Sequence, residues 1–282
     1  MKLLQDVISV RNFTQNRAAD REIGLVPTMG ALHRGHQSLL EASLRDNDQT
    51  ICSIYVNPTQ FNSTDDLEKY PRTLEHDLKF LEENGCDAVF FPTDQIMYPK
   101  ERQQLLQLNF GYLDRILEGQ HRPGHFSGVG LVVNKLLNII QPQRAYFGQK
   151  DLQQLAIIRQ LVDEFIIPVE IVTVPIVREP SGLALSSRNQ RLSPEEKRVA
   201  TQLYQTLLNA RQQYKAGVNL ATVKQQALNR LNEHSGIRVE YFEAVQVNGF
   251  RLIEKANKSK EIAFCVAAYV GEVRLIDNII VS

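Results

Sequence analysis

The stretch "EIGLVPTMGALHRGHQSLLEASLRD", residues 22–46, passes from an apolar run to an amphipathic one through two glycines and two histidines. "EIGLVPT" (22–28) predicts a strand and "GHQSLLEASLRD" (35–46) a helix, so the motif between them occupies a strand-to-helix turn. His33 and His36 are two of only six histidines in the chain. Three residues apart at a helix start, they share one face. Such a helix end offers unpaired backbone N–H groups and the positive end of a dipole, which suits a phosphate. Two imidazoles beside it can donate to phosphoryl oxygens, and Gly30 and Gly35 let backbone approach a ligand closely. Alone, the HxGH spacing does not decide between that site and a solvated surface turn. A metal site fits less well, because no further Cys or His stands at ligand spacing nearby.

Outward from this motif the alternation continues. "TICSIYVN" (50–57), "DAVFFP" (87–92), "RAYFGQ" (144–149) and "VEIVTVP" (169–175) predict strands. "TLEHDLKFLEENG" (73–85), residues 127–140 and "DLQQLAIIRQLVDEF" (151–165) predict helices. Apolar strands alternating with helices define an α/β fold, a Rossmann-like parallel sheet with helices on both faces. Ligands of such sheets sit at the carboxyl ends of the strands, where "PTMG", "VNPTQF" and "FGQKD" fall. After residue 176 the pattern changes. A loop, "REPSGLALSSRNQRL", precedes "SPEEKRVA", where Ser193 caps a helix with Pro194 at its first position and Glu196 three residues on. Helices at 194–215 and 220–234, then "RVEYFEAVQV" and "EIAFCVAAYVGEVRLIDNI" as antiparallel strands, predict a smaller α+β C-terminal domain. The expected boundaries are 1–176 and 177–282.

The 282 residues carry 32 Lys plus Arg against 32 Asp plus Glu, a net charge of zero. That balance argues against a protein built to coat nucleic acid. Cys52, Cys86 and Cys265 lie far apart with no CxxC, and two of them sit in apolar, strand-like runs that predict buried thiols; a reducing compartment and no disulfides are expected. "MKLLQDVISVRNF" carries Asp6 and no small-residue cleavage site, a poor signal peptide. No apolar run approaches the roughly 18 residues that span a bilayer. A cytoplasmic protein without a membrane partner is expected.

Other segments carry weaker signals. In "LALSSRN" (183–189), Ser186, Ser187 and Arg188 suit a polyphosphate, with Arg188 bidentate; they equally suit a polar linker. "FGQKD" puts Lys150 at a helix start, where a cation opposes the dipole unless an anion is bound. Asn57 and Gln60 in "YVNPTQF", and Gln153 and Gln154 further on, are neutral groups suited to hydroxyls or a carboxylate. "EGQHRPGHFSGVG" (118–130) reads as a loop carrying Arg122 and His125, of the kind that forms lids.

With "PTMGALHRGH" and "LALSSRN" both in view, the chain resembles the pantothenate synthetase (pantoate–β-alanine ligase) family. The first motif is similar to the HIGH signature of the nucleotidylyltransferase superfamily, which includes class I aminoacyl-tRNA synthetases. The second is similar to that superfamily's KMSKS loop. The resemblance extends through "YVNPTQF", "YPRTLEHD", "EGQHRPGHFSGV", "FGQKDLQQLAIIRQLV", "VPIVRE" and "RLIDN" and covers nearly the whole chain. It implies an ATP-dependent ligation of pantoate and β-alanine through a pantoyl adenylate, with Mg2+ on the polyphosphate, in a homodimer. Met29, Gly30, Ala31, Leu32, His33, Arg34, Gly35 and His36 match the ATP-binding HIGH segment, with His36 the proton donor. Gly148, Gln149, Lys150 and Asp151 match a second ATP segment, Lys150 holding phosphate. Val177 matches a main-chain contact to adenine. Leu185, Ser186, Ser187 and Arg188 match a mobile loop that clamps the triphosphate as a lid. Gln60 matches the residue shared by pantoate and β-alanine, and Gln154 a pantoate contact, with Asn57 beside them. His33, His36, Lys150 and Arg188 are the expected catalytic set. Gln149 stands where Glu or Lys is commoner, and no protein metal cage is visible.

Three alternatives stay open on the residues alone. Another HIGH-type adenylyl or cytidylyl transferase shares the histidines and the serine–arginine loop but has no need of Gln60 and Gln154 aimed at one pocket. A tRNA synthetase needs a basic anticodon-binding module, for which the charge-balanced residues 177–282 leave little room. A non-catalytic nucleotide-binding protein has no need of His33, His36, Lys150 and Arg188 together.

Overall fold

The computed structural model describes residues 1–15, 21–99, 106–254 and 261–281. They fall into two compact units, Met1–Gln149 with Gln153–Pro175, and Lys150–Leu152 with Ile176–Ser282. The first unit opens with β1 (Lys2–Leu4), α1 (Val7–Gln15), β2 (Ile23–Thr28), α2 (Arg34–Asp46) and β3 (Gln49–Ile54). Short helices α3 (Thr64–Glu68) and α4 (Leu74–Glu83) lead to β4 (Ala88–Phe90) and α5 (Asp94–Met97). Then come α6 (Leu117–His121), α7 (His125–Ile140), β5 (Arg144–Gly148), α8 (Leu152–Glu164) and β6 (Glu170–Val174).

The six strands form one sheet in the order β1-β4-β3-β2-β5-β6, and every pairing is parallel. Chain direction across the sheet reverses at β2, with β3 and β4 on one side and β5 and β6 on the other. This is a topological switch point, and a crevice opens at the carboxyl end of such a pair of strands. Val26, Cys52 and Val89 stand in register and bury their side chains with Leu39 and Leu40 of α2 and Leu81 of α4. Their alternating neighbours Leu25, Ile51, Ala88 and Ala145 are equally inaccessible and point to the opposite layer, where α7 lies against β2. Both faces are covered, which explains why these strands read as continuous apolar runs.

Two features differ from the sequence reading. The N-terminal residues supply an edge strand, β1, whose three residues are too few to show a period. Residues 118–130, read as a loop, form the end of α6 and the first turns of α7. Gly124 at φ +80 caps α7, and the run after it, apolar on nearly every side, buries Phe126, Val129 and Leu131. The glycines of that run serve packing: a Cβ on Gly128 would stand 2.2 Å from the Thr59 carbonyl oxygen.

In the second unit, α9 (Pro194–Lys215) and α10 (Leu220–Asn232) precede β7 (Ile237–Gln246), β8 (Arg251–Leu252), β9 (Ile262–Val270) and β10 (Val273–Val281). The sheet order is β10-β9-β7-β8, antiparallel throughout. The capping box read from "SPEEK" is present, with Ser193 Oγ accepting the Glu196 N–H and Glu196 accepting the Ser193 N–H. Leu203 and Leu207 of α9 and Val223 and Leu231 of α10 pack on Phe242, Phe264 and Val266 of the sheet. Among the described residues no helix is long and apolar enough to cross a membrane.

All three cysteines are free and buried. Burial pushes the Cys86 thiol up to about 11 and raises Cys52 well above its ordinary range. Thiolate is the reactive form, so the native protein at pH 8 is expected to react negligibly with a disulfide reagent, and the denatured chain to release three equivalents. Rapid labelling of one thiol under native conditions would contradict this packing.

Candidate active site

At the carboxyl end of β2 the chain turns into α2 through Met29–His33. Gly30 at φ +79 and Ala31 at φ +50 take left-handed backbone, natural for glycine and costing alanine about 1–2 kcal/mol. That conformation is held from behind. The Asp77 carboxylate, 1% exposed, accepts the Ala31 N–H at 2.9 Å and the Leu32 N–H at 2.8 Å. The Thr73 hydroxyl lies 3.2 Å from both its oxygens. A Cβ on Gly30 would lie 2.9 Å from the same carboxylate, so glycine is required there by both φ and space.

His33 is the N-cap of α2, and its Nδ1 accepts the Gly35 N–H at 3.1 Å. His36 reaches back, its Nδ1 accepting the His33 N–H at 3.2 Å. The pair forms a capping box in which imidazoles replace the usual hydroxyl and carboxylate, with ring centroids 4.1 Å apart. A ring nitrogen that accepts a backbone N–H carries no proton. In the neutral tautomer this network assigns, both protons therefore sit on Nε2, which makes each ring a donor on its far edge.

At the carboxyl end of β3, Asn57, Gln60 and Met29 are joined in one network. Gln60 donates to the Met29 sulfur at 2.8 Å and accepts from Asn57 Nδ2 at 3.1 Å. Asn57 Nδ2 also reaches the Gly128 carbonyl at 3.1 Å. Asn57 Oδ1 accepts from the Thr59 and Tyr98 hydroxyls at 3.0 and 2.9 Å. Arg122 and His125, expected on a lid, instead buttress this turn: His125 Nδ1 donates to the Gln60 carbonyl at 2.7 Å and Arg122 Nη2 lies 3.4 Å from it. Both read as loop residues because Gly and Pro flank them; His125 instead opens α7, while Arg122 stands in the short connection after α6.

Gln153 and Gln154 part company. Gln153 is buried, accepting the Glu118 N–H and donating to the Leu113 and Ile116 carbonyls. Its amide is consumed in holding the 113–118 turn, so it is not a ligand group. Gln154, the neighbouring position on α8, is half-buried.

Gly148 and Gln149 close β5 in the first unit, and Lys150 and Asp151 open the second. Lys150 lies in a 3-10 turn, Gln149–Asp151, before α8 begins, with its ammonium 3.7 Å from the Asp151 carboxylate. This pairing relieves part of the conflict with the helix dipole. The Val177 carbonyl accepts the Leu185 N–H at 3.0 Å, and Arg178 and Ala184 bridge, so a tight hairpin carries both Val177 and the serine–arginine segment. Ser186 caps the 3-10 turn Ser187–Arg191 by accepting the Arg188 N–H, and Ser187 is buried. Among the described residues no group of three His, Cys, Asp or Glu could hold a metal ion.

A doubly wound parallel sheet with a histidine-capped helix at its switch point defines a nucleotide-binding α/β protein. The model of the pantoate-beta-alanine ligase family matches residues 2–280. The chain belongs to that family. It is 46% identical over 271 residues to the pantothenate synthetase of Cytophaga hutchinsonii, covering 96% of this chain and 95% of that protein. With the pantothenate synthetase of Aquifex aeolicus the identity is 47% over 279 residues, 98% and 97% of the two chains. The crystal structure of pantothenate synthetase from Thermus thermophilus superposes with a TM-score of 0.91 at 40% identity, covering 99% of both chains. The pantoate-beta-alanine ligase of Francisella tularensis, crystallised with beta-gamma ATP and beta-alanine, gives 0.82 at 36% identity, over 99% of this chain and 97% of that one.

Proposed function

We propose that this chain joins pantoate to β-alanine at the expense of ATP. A pantoate carboxylate oxygen attacks the α-phosphorus, the bond to the bridging oxygen of the β-phosphate breaks, and pyrophosphate leaves. The amine of β-alanine then attacks the acyl carbon of the pantoyl adenylate, AMP leaves, and the amine's surplus proton passes to solvent. Activation is needed because a free carboxylate is a poor acyl donor. The observation that carries the reading is the histidine-capped α2 at the switch point, in a chain matched along its length by ligases of this kind.

In this reading the Nε2 protons of His33 and His36 stay on their rings and donate hydrogen bonds to phosphoryl oxygens, bonds that strengthen as charge moves to pyrophosphate. Neutral rings can do this, since each Nδ1 is taken up as an acceptor and Nε2 is left as the donor. Met29–His36 and Gly148–Asp151 bind ATP, Lys150 neutralises phosphate, and Val177 receives adenine through its main chain. Leu185–Arg188 close over the triphosphate, with residues 177–282 acting as a lid domain on a nucleotide- and pantoate-binding domain 1–176. Gln60, Asn57 and Gln154 receive pantoate and β-alanine; neutral amides bind hydroxyls and a carboxylate without quenching the nucleophile. Mg2+ fits as an ion held by phosphate oxygens and water, as is usual where the protein offers few carboxylates, and it supplies charge neutralisation there. A cytoplasmic homodimer completes the proposal, and sedimentation equilibrium tests the dimer.

The functional test is ATP–pyrophosphate exchange with pantoate, other carboxylic acids or no acid. Exchange is expected with pantoate alone, followed by AMP release once β-alanine is added. Exchange driven by a different acid overturns the substrate, and exchange with none overturns the adenylate chemistry.

A further inference from the structure

Apart from Val177, the residues of two motifs, "VPIVRE" (174–179) and "RLIDN" (274–278), have no place on the substrates above. In the second unit they meet. Arg178 makes a fork-to-fork pair with Asp277, Nη1 to Oδ2 at 2.6 Å and Nη2 to Oδ1 at 2.8 Å. The same guanidinium reaches the Gly182 and Asn278 carbonyls at 3.2 Å each and lies 3.7 Å from the centre of the Tyr204 ring. Asp277 and Asn278, on β10, are 5% and 2% exposed, and the Asn278 N–H donates to Asp277 Oδ1 at 2.7 Å. The side-chain amide of Asn278 then donates to the Lys150 carbonyl at 2.9 Å.

Two adjacent residues of one strand thus anchor two separate segments. Asp277 grips the hairpin whose return arm leads directly into Leu185–Arg188, and Asn278 grips the turn that carries Lys150. A bidentate guanidinium–carboxylate pair and a buried amide are directional, so they fix position as well as contact. A buried ion pair adds little net stability over apolar packing; geometric definition is what it supplies. We propose that Asp277 and Asn278 are positioning residues that hold Lys150 and the serine–arginine segment on a common strand for adenylate formation. The inference rests on the proposed roles of Lys150 and Arg188. It predicts a defect confined to the first half-reaction, because aminolysis of the adenylate moves no pyrophosphate.

The test uses the full chain with Asn278→Ala, and Arg178→Lys as the second variant, which keeps the charge but loses the fork. Pantoate-dependent ATP–pyrophosphate exchange is compared with single-turnover aminolysis of supplied pantoyl adenylate by β-alanine, with thermal unfolding confirming the fold. Misplacing such groups by about 1 Å can cost on the order of a hundredfold. A fall in exchange of about tenfold or more, with raised KM for ATP and unchanged aminolysis, is the expected result. Equal loss in both half-reactions, or loss in neither, in whichever variant folds, overturns the proposal. Absence of exchange in the unsubstituted chain would instead refute the underlying functional reading.

Discussion

Asp77→Ala is expected to lower the stability of the chain by about 2–6 kcal/mol, at 1–3 kcal/mol for each of two buried donors left unsatisfied. The two donors are the N–H groups of Ala31 and Leu32, and both residues are almost fully buried. Water that enters the space of the lost carboxylate brings the cost toward the lower figure. The Asp77 carboxylate directly opposes the left-handed strain at Ala31, so the turn is also expected to relax. Its relaxation would shift His33, the cap of α2, and weaken ATP use. Asp77→Asn separates the two effects. An amide keeps one acceptor oxygen but sets its NH2 group against a backbone N–H, so about half the stability loss should remain. Urea unfolding monitored by circular dichroism, together with KM for ATP in the exchange assay, reads both quantities. A midpoint unchanged in both variants would show that Asp77 is not what shapes this turn.

Asp77 also shows where sequence reading stops. Within "TLEHDLKFLEENG" it is one of several acids on an amphipathic helix, and its partners lie 45 and 46 residues away. No local period distinguishes an inward carboxylate that accepts backbone from an outward one that meets water. The parallel sheet was legible because burial on both faces writes itself as apolar runs, and the Ser193–Glu196 cap because hydroxyl and carboxylate are the standard pair. The His33–His36 cap was not, since imidazole rarely plays that part and the same spacing fits a ligand site. Gln153 and Gln154 carried the same chemical signal. Adjacent helical residues point about 100° apart, and only packing shows which of them turns inward. Residues 118–130 misled through composition, because glycines that allow close helix packing look like glycines that allow a loop.

The double duty of His36 decides how its chemical role must be tested. His36→Ala removes both the imidazole and the acceptor for the His33 N–H, so it is expected to cost about 1 kcal/mol as a lost cap as well as activity. His36→Gln is the cleaner change. Glutamine is a natural partner at this position of a capping box, and its carbonyl can take over the bond that Nδ1 makes at 3.2 Å. Its amide can still donate a hydrogen bond, but not from the position in which the ring holds its Nε2 proton. If His36 acts by placing that donor against the departing phosphate, adenylation should fall in both variants, by roughly 10²–10³ for alanine, the cost of losing one transition-state donor. The thermal midpoint should fall only for alanine. Stopped-flow measurement of adenylate formation at saturating ATP and pantoate reads the rate without interference from product release. Should His36→Gln keep the full rate while His36→Ala loses it together with stability, the ring would be a cap alone. The hydrogen bond to the leaving group would then have to come from elsewhere, and His33, whose Nδ1 accepts the Gly35 N–H, would be the next residue to substitute.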